Sequence, residues 1–399
     1  MWKYIKYTLF IIIILATACN KDKLDPIQTK AFIKIFGVDG EDIGNDVKQT
    51  ADGGYILIGT ATRSTDEKGE QLIAIKTDAY GNYEWVKEYG FKYNDKGNCV
   101  LEIPGRGYLL FGTATDSLRE NYTDMYFIII DELGGAIIEK TIGIGDTSVS
   151  EEGNYAALSD DGGFILVGNI SLNEGDIYFL KTNENGDTLR TGTIGESDGP
   201  DFGNYVLKID NDRYLIVGTT AFFSNGGSDI GAIIISEEAE GVINPLNFGG
   251  TGNEEGLSAA MSPNGDFYIF GSTTSYGNGG KDFYLVKTDN SLNIIKDSIT
   301  FGFTGNDEGK SICYNQNNEV VMTGTIEEGG KNHCYLVKTD INGDTIFNFK
   351  SFNYLDNNVA EAITETADGG YAIVGSRTSH ENTDILFYKT NPNGELKME

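Results

Sequence analysis

The sequence predicts an all-β fold, a seven-bladed β-propeller with four antiparallel strands per blade, on the strength of three observations. The phrase Asp52-Gly-Gly-Tyr-Ile-Leu-Ile-Gly-Thr60 recurs along the chain. The recurrences lie 50 to 56 residues apart, and four strands in each repeat of this length indicate a propeller rather than a helical solenoid. Glycine is abundant, with 52 in 399 residues, as expected for many turns between short strands.

The repeat is marked by the residue that opens its second strand. A glycine follows each marker by four residues, and another precedes it by eleven, except that Ala360 takes this place in the last copy. The seven markers are Tyr55, Tyr108, Phe164, Tyr214, Phe267, Val320 and Tyr371.

The first copy predicts strands a to d at residues 46–50, 55–60, 72–77 and 83–89. Strand b is apolar throughout, which indicates burial on both faces, as in a blade between two neighbours. The c–d connection, Asp78-Ala-Tyr-Gly81, is typical of a hairpin turn. Asp340-Ile-Asn-Gly-Asp344 resembles part of a calcium loop, but it lacks the remaining ligands, so we interpret it as the same turn.

The N-terminal segment is predicted to complete the last blade. Strand d ends in an aromatic residue or Ile followed by Gly in the first five copies, as at Tyr89-Gly90. The last copy lacks this strand, and Phe36-Gly37 supplies the same ending before the first copy. We therefore expect Phe32, Ile33 and Ile35 or their neighbours to pair with strand c of the last blade at residues 385–390, which leaves no open edge.

The chain before the repeats has the features of an exported lipoprotein. Residues 1–18 carry two lysines and a short apolar run that is too short to span a membrane, as in a signal peptide. Leu15-Ala16-Thr17-Ala18-Cys19 resembles a bacterial lipobox, although Ala16 stands where Leu is usual. The alternative is an ordinary signal peptide with a chance cysteine. We expect acylated Cys19 and a tether at 19–30, the propeller at 31–399, and an outer-membrane lipoprotein facing the periplasm or the cell exterior.

The repeat phrases also resemble those of bacterial surface β-propeller repeat proteins. The resemblance rests on DGGYILIGT, IKTD and EWVKEYG, and it covers about residues 31–399. It implies a seven-bladed propeller on a surface lipoprotein. Some similar propellers are lectin-like or quinone-binding, but no sugar or quinone motif carries over to residues of this chain.

The charge balance argues against nucleic acid as a partner. The chain has 60 acidic and 30 basic residues, whereas nucleic-acid binding depends on basic side chains that neutralise phosphates. The alternative interpretation is that the charge only maintains solubility. With just two histidines, His333 and His380, His-based catalysis is disfavoured; His333 occupies a position that is polar in all seven copies.

Three further cysteines are expected to be free and buried. Cys313 and Cys334 fall on strands a and c of one blade, with strand b between them, which is too far for a disulfide. Cys99 belongs to the second blade. We predict small apolar packing roles for all three.

A ring of acids is the least ordinary feature. The residue thirteen before each marker is a carboxylate in six copies and Asn358 in the seventh. We place these acids in the d–a loops, at one face of the channel, where they could bind a cation such as Ca²⁺. The alternative is that each accepts backbone N–H groups of an adjacent turn. The candidate ligands are Asp42, Asp95, Glu151, Asp201, Glu254 and Asp307.

The variable b–c loops of the same face are the predicted ligand-binding loops, because binding residues concentrate on loops of rigid scaffolds. Phe222 and Phe223 could anchor a partner or stack on a sugar, or could fold back onto the blade. The candidate residues are Arg63, Arg119, Tyr122, Phe222, Phe223 and Tyr276.

We therefore predict a monomeric, membrane-anchored binding or scaffold protein for a protein or glycan ligand. We expect no catalytic residues, no enzymatic activity and no cofactor other than Ca²⁺. The lipid is the predicted membrane contact. The alternative is a carboxylate-based glycan hydrolase or lyase, which needs two suitably spaced acids.

Overall fold

The computed structural model describes residues 31–37, 40–63, 69–115, 122–145, 148–172, 175–195, 199–221, 224–238, 241–350, 356–379 and 382–396. The side chains of residues 63, 241–244 and 350 are outside this description. So are the predicted signal peptide, Cys19 and its tether. In the described ranges, no helix has the length and apolar character needed to cross a membrane.

The described residues form 28 β-strands, twenty of which make five four-stranded antiparallel sheets in chain order. The first of these contains β6 (Asp95–Ile103), β7 (Gly107–Thr115), β8 (Thr123–Ile130) and β9 (Ala136–Ile142). The second contains β10 (Glu151–Leu158), β11 (Phe164–Ile170), β12 (Asp176–Thr182) and β13 (Thr188–Ile194). The third contains β14 (Phe202–Lys208), β15 (Arg213–Thr220), β16 (Asp229–Ser236) and β17 (Gly241–Phe248). The fourth contains β18 (Glu254–Met261), β19 (Phe267–Thr273), β20 (Asp282–Thr288) and β21 (Ile294–Phe301). The fifth contains β22 (Glu308–Tyr314), β23 (Val320–Glu328), β24 (Lys331–Thr339) and β25 (Thr345–Lys350).

The remaining eight strands form one sheet with two antiparallel halves. One half contains β2 (Gly40–Gln49), β3 (Tyr55–Arg63), β4 (Gln71–Thr77) and β5 (Tyr83–Tyr89). The other contains β26 (Asn357–Glu365), β27 (Tyr371–Ser379), β28 (Asn382–Lys389) and β1 (Phe32–Phe36). A single parallel pairing of Glu41 with Thr383 joins the halves. In the first copy, β5 has the predicted bounds, whereas the first strand begins well before the predicted residue 46.

The first strand of each sheet contacts the first strand of the next. Contacts run from β2 to β6, β10, β14, β18, β22 and β26, and β26 returns to β2. The first strands therefore surround a common centre, and this arrangement positions the site described below.

Burial follows the apolar pattern of the strands. Every residue of β7 is buried, and the side chains of β5 are mostly exposed or half-buried. Between neighbouring sheets, apolar side chains from both sides pack together, for example Phe127 of β8 edge-on against Phe164 of β11, with ring centroids 5.5 Å apart. The prediction that the second strand is buried on both faces is confirmed.

Charged residues of the repeat phrase form ion pairs within several copies. Lys76, the lysine of Ile-Lys-Thr-Asp, is buried, and its Nζ lies 2.8 Å from the carboxylate of Asp52 in Asp-Gly-Gly. The same pairing joins Lys181 to Asp161 at 2.7 Å. A buried ammonium needs such a partner, which explains why the two phrases recur together.

The c–d connections are turns, as predicted. Gly81 has a φ of 71°, which glycine adopts readily, and the Asp78 carboxylate accepts the N–H groups of Tyr80 and Asn82. Asp340 likewise accepts the N–H groups of Asn342 and Asp344. Its carboxylate is therefore used within the turn.

The N-terminal strand pairs with the last strand of the chain, which confirms the predicted closure. β1 runs antiparallel to β28 from Phe32 opposite Lys389 to Phe36 opposite Ile385. Phe36 is buried, and Phe32 packs edge-on against Phe387 with ring centroids 5.2 Å apart.

Candidate functional site

A cavity of about 510 Å³ lies at the centre of the first strands. Each of these strands contributes the residue that directly follows its repeat glycine, eleven residues before the marker, or Ala360 in the last copy. These seven residues are Asn45, Asn98, Asn154, Asn204, Leu257, Lys310 and Glu361. The volume lies within the ordinary range of small-molecule sites.

Four asparagines, one from each of four successive first strands, form an arc around this cavity. Each side-chain amide donates to the carbonyl oxygen of the equivalent glycine in the next sheet, so that the arc also ties sheets together. The Nδ2–O distances are 2.8 Å for Asn45, 2.7 Å for Asn98, 2.9 Å for Asn154 and 2.8 Å for Asn204. Because this bond uses the amide nitrogen, the amide oxygen remains available to accept a hydrogen bond from a ligand.

Four side chains of the cavity form a compact polar group, which we call the Lys48 cluster: Asp46, Lys48, Tyr155 and Tyr205. The Lys48 Nζ lies 2.6 Å from Asp46 Oδ1 and 3.3 Å from the Tyr155 hydroxyl. Asp46 Oδ2 accepts the N–H of Val100 from the next sheet. The rings of Tyr155 and Tyr205 lie 4.2 Å apart, tilted by 37°. The cluster thus combines a fixed ammonium group with two neighbouring aromatic rings.

Within the Lys48 cluster, the lysine and the two tyrosines have raised pKa values. Burial opposes the charge of Lys48, but the Asp46 carboxylate and its other polar neighbours together outweigh burial, so that the lysine pKa is raised. Burial also raises the pKa of Tyr155 and of Tyr205. These groups therefore act as hydrogen-bond donors rather than as bases.

A second charged group of the cavity lies on β22 and β26, the first strands of the last two copies. The Lys310 Nζ is 3.5 Å from Glu308 and 3.6 Å from Glu361. Burial raises the pKa of Glu361, whereas Glu361 and Glu308 outweigh burial and raise that of Lys310. Asp46 and Glu361 are the carboxylates among the described cavity-lining residues, and each has a lysine partner.

The six acids of the predicted ring are buried, and none lines the cavity. Four lie within first strands rather than in d–a loops, because those strands begin earlier than the sequence indicated; Asp201 and Asp307 precede β14 and β22 directly. Five accept backbone N–H groups. Asp95, for example, accepts the N–H of Thr115 in its own sheet. Within the described ranges, no group of three or more His, Cys, Asp or Glu side chains could hold a metal ion.

Of the predicted loop residues, the structure describes the side chains of Tyr122 and Tyr276. Arg119, Phe222 and Phe223 lie outside the described residues, as does the side chain of Arg63. Tyr276 folds back, with its hydroxyl donating to the Gly249 carbonyl at 3.3 Å and its ring 5.6 Å from that of Tyr284. Tyr122 is half-buried, and neither tyrosine lines the central cavity.

The cysteines are free, as predicted, but one is not fully buried. Cys313 is half-buried and lines the cavity, because β22 turns this side chain toward the centre. Cys99 and Cys334 are buried. Burial raises the pKa of Cys334 and of Cys313 to about 12, so neither is an activated thiolate.

Sequence reasoning missed the asparagine arc and the two tyrosines. The signal was present, because all four asparagines directly follow a glycine that was recognised as part of the repeat. Tyr155 and Tyr205 occupy the next position, where Asp46, Cys99, Ser258, Ser311 and Ala362 stand in the other copies. Large aromatic residues at a position otherwise occupied by smaller side chains would have indicated a site.

No family model and no curated protein matches the chain. Similar solved structures include a PL25 ulvan lyase bound to -[GlcA(1-4)Rha3S]-, with 10% identity over 92% of this chain and 97% of that one and a TM-score of 0.59. The polysaccharide lyase Uly1 has 11% identity over 88% and 90%, with a TM-score of 0.56. A streptogramin B lyase has 12% identity over 89% and 97%, with a TM-score of 0.48. The first two similarities, together with the repeated four-stranded sheets, show an all-β fold of the propeller type.

Proposed function

We propose that the chain is a seven-bladed β-propeller, anchored outside the cytoplasm through a lipid on Cys19, which binds a saccharide in its central cavity without enzymatic turnover. The blade number is supported by the 28 strands, by the circular order of first-strand contacts, and by the single bridge between the halves of the eight-stranded sheet. The outer position of the last blade is filled by β1.

The polar chemistry of the cavity carries the proposal for the ligand. The asparagine oxygens accept hydrogen bonds, Lys48 and the tyrosine hydroxyls donate them, and the rings of Tyr155 and Tyr205 offer apolar surface. A saccharide matches this combination because its hydroxyl groups donate and accept, while its C–H faces pack on aromatic rings. The two lysines and two carboxylates of the lining balance in charge, which favours a neutral sugar.

The hydrolase alternative is less compatible with the cavity. Glu361 has the raised pKa that suits a general acid. Its potential partner Asp46 is bound to Lys48 and to two backbone N–H groups, those of Val47 and Val100. A carboxylate with both oxygens occupied in this way is a poor nucleophile or general base. Two of the structurally similar proteins are polysaccharide lyases. The binding experiment below therefore also tests whether the chain cleaves polysaccharides.

The experiment uses the soluble chain from residue 20 on a glycan array, followed by calorimetric titration of the strongest hit. We expect binding, and a loss of roughly tenfold or more in affinity for Tyr205→Ala, because one ring of the aromatic pair is removed. Tyr80→Ala is the matched control, since Tyr80 is an exposed turn residue. Absence of binding across the array contradicts the saccharide proposal, and reproducible shortening of any polysaccharide contradicts the non-enzymatic one.

A further inference from the structure

A second cavity of about 460 Å³ adjoins the central one between the sheets β14–β17 and β18–β21. Asn204 and Leu257 line both cavities. The remaining lining includes Phe202 at the start of β14 and Thr219, which pairs with it on β15. The two cavities therefore adjoin at Asn204 and Leu257.

Leu257 is the apolar residue of this boundary, beside the amide of Asn204. It occupies the position that is asparagine in the four preceding copies, so the arc of amide groups ends here. A ligand that extends beyond the central cavity meets no amide group at this position that must be desolvated.

Phe202 gives the outer cavity a recognition surface. The residue is 41% exposed, although aromatic residues of this size usually lose most of their surface on folding. The equivalent residues in the other copies are Ile43, Lys96, Glu152, Glu255, Glu308 and Val359, so Phe202 is the single aromatic residue at this position in the sequence.

The polar groups around Phe202 are largely engaged within the protein. The Thr219 hydroxyl accepts the N–H of Gly256 at 3.3 Å, and the Ser228 hydroxyl donates to the Glu254 carbonyl at 3.2 Å. The Glu255 carboxylate lies 3.2 Å from the Lys281 ammonium. Binding in the outer cavity would therefore depend mainly on the exposed ring and on Leu257.

We propose that the outer cavity is a second saccharide subsite, and that the ligand is a linear oligosaccharide chain rather than a single sugar. One unit occupies the central cavity, the chain passes over Leu257, and a later unit stacks on Phe202. This inference rests on the proposed saccharide binding and adds the length of the ligand and its direction of exit.

The test compares homologous oligosaccharides of one to six units, prepared from the strongest array hit, by calorimetric titration. The wild-type affinity is expected to rise with length until the Phe202 subsite is filled. Phe202→Ala should lower the affinity for the longer oligomers by about fivefold and leave that for the monosaccharide unchanged, since aromatic stacking contributes modestly. Tyr205→Ala should weaken binding at every length.

Phe303→Ala is the matched control, because Phe303 is also a partly exposed aromatic residue and lines a separate cavity that shares no lining residue with these two. Thermal melts verify that each variant is folded. A wild-type affinity independent of length, or an equal loss for all lengths in Phe202→Ala, overturns the second subsite alone. If the wild type binds no oligomer, the proposed function itself fails.

Discussion

Asp229 and Glu254 lie on neighbouring sheets, and each turns one carboxylate oxygen toward the same glycine, Gly249. A Cβ atom on Gly249 would clash with both Asp229 Oδ1 and Glu254 Oε2. Both acids are buried. The arrangement recurs around Gly302, where the corresponding oxygens belong to Asp282 and Asp307. Contacts between sheets thus include paired carboxyl groups, which repel each other when both are ionised.

The first prediction is that Asp229→Asn stabilises the protein at pH 7. Burial, and then the Glu254 charge, raise the pKa of Asp229 in the folded state. A raised carboxyl pKa means that the folded state holds the proton more tightly, so stability falls as pH rises from the ordinary Asp pKa through the folded value. The amide removes this loss, and we expect a melting temperature higher by about 1–3 °C at pH 7 and little gain at pH 3.5.

Asp187→Asn is the control for this comparison. Asp187 is exposed, and its pKa is lowered by the hydrogen bond from Lys140, so its replacement should bring no gain at pH 7. If Asp229→Asn melts at the wild-type temperature at every pH, the carboxyl pair does not destabilise the folded state.

The second prediction concerns the closing strand. Phe36→Ala should lower the free energy of unfolding by about 3 kcal/mol, because it removes a buried ring that packs between Tyr83 and Phe387. Ile35→Ala, on the exposed side of the same strand, should cost less than about 1 kcal/mol. Urea unfolding measures both.

Deletion of residues 20–37 should destabilise the chain further, and an unchanged midpoint would show that this segment is only a tether.

The third prediction is that Ca²⁺ does not change the melting midpoint. Five of the six acids of the predicted ring accept hydrogen bonds from backbone N–H groups, as Glu254 does from Gly250 and Ser275. Melting curves in Ca²⁺ and in chelator should therefore coincide. A higher midpoint in Ca²⁺ that chelator reverses would instead establish a cation site, because a ligand that binds only the folded state raises its stability.

The fourth prediction tests the anchor. Cys19→Ser should move the protein from the membrane fraction to the soluble fraction, because the acyl chains supply the proposed membrane affinity. Mass spectrometry of the wild-type N-terminal peptide should show the acyl groups. Unchanged fractionation together with an unmodified Cys19 would favour the ordinary signal peptide.

Much of the fold could be predicted from the sequence because each copy repeats the same local requirements. The apolar second strand, the Asp78 turn and the pairing of β1 with β28 follow from patterns that are visible in the residues. The starts of the first strands could not be placed, because polar residues such as Glu41 and Asp42 lie within β2. Their pairing is fixed by neighbouring strands rather than by local propensity.

The candidate site was harder to predict, because it depends on where seven distant strands meet. The acids of the predicted ring repeat in six copies, but they are buried and do not line the cavity. The position after the repeat glycine does line the cavity, but its residue type varies, from Asn45 to Leu257 to Glu361. Without the structure, nothing in the sequence shows that these side chains share one cavity.

The pairing of Phe36 with Ile385 has a consequence for biogenesis. Among the described strands, β1 is synthesised first and its partner β28 last, so one sheet edge stays open until the other strands have been made. Contacts between such distant residues form slowly. The open edge requires protection from edge-to-edge aggregation during that interval.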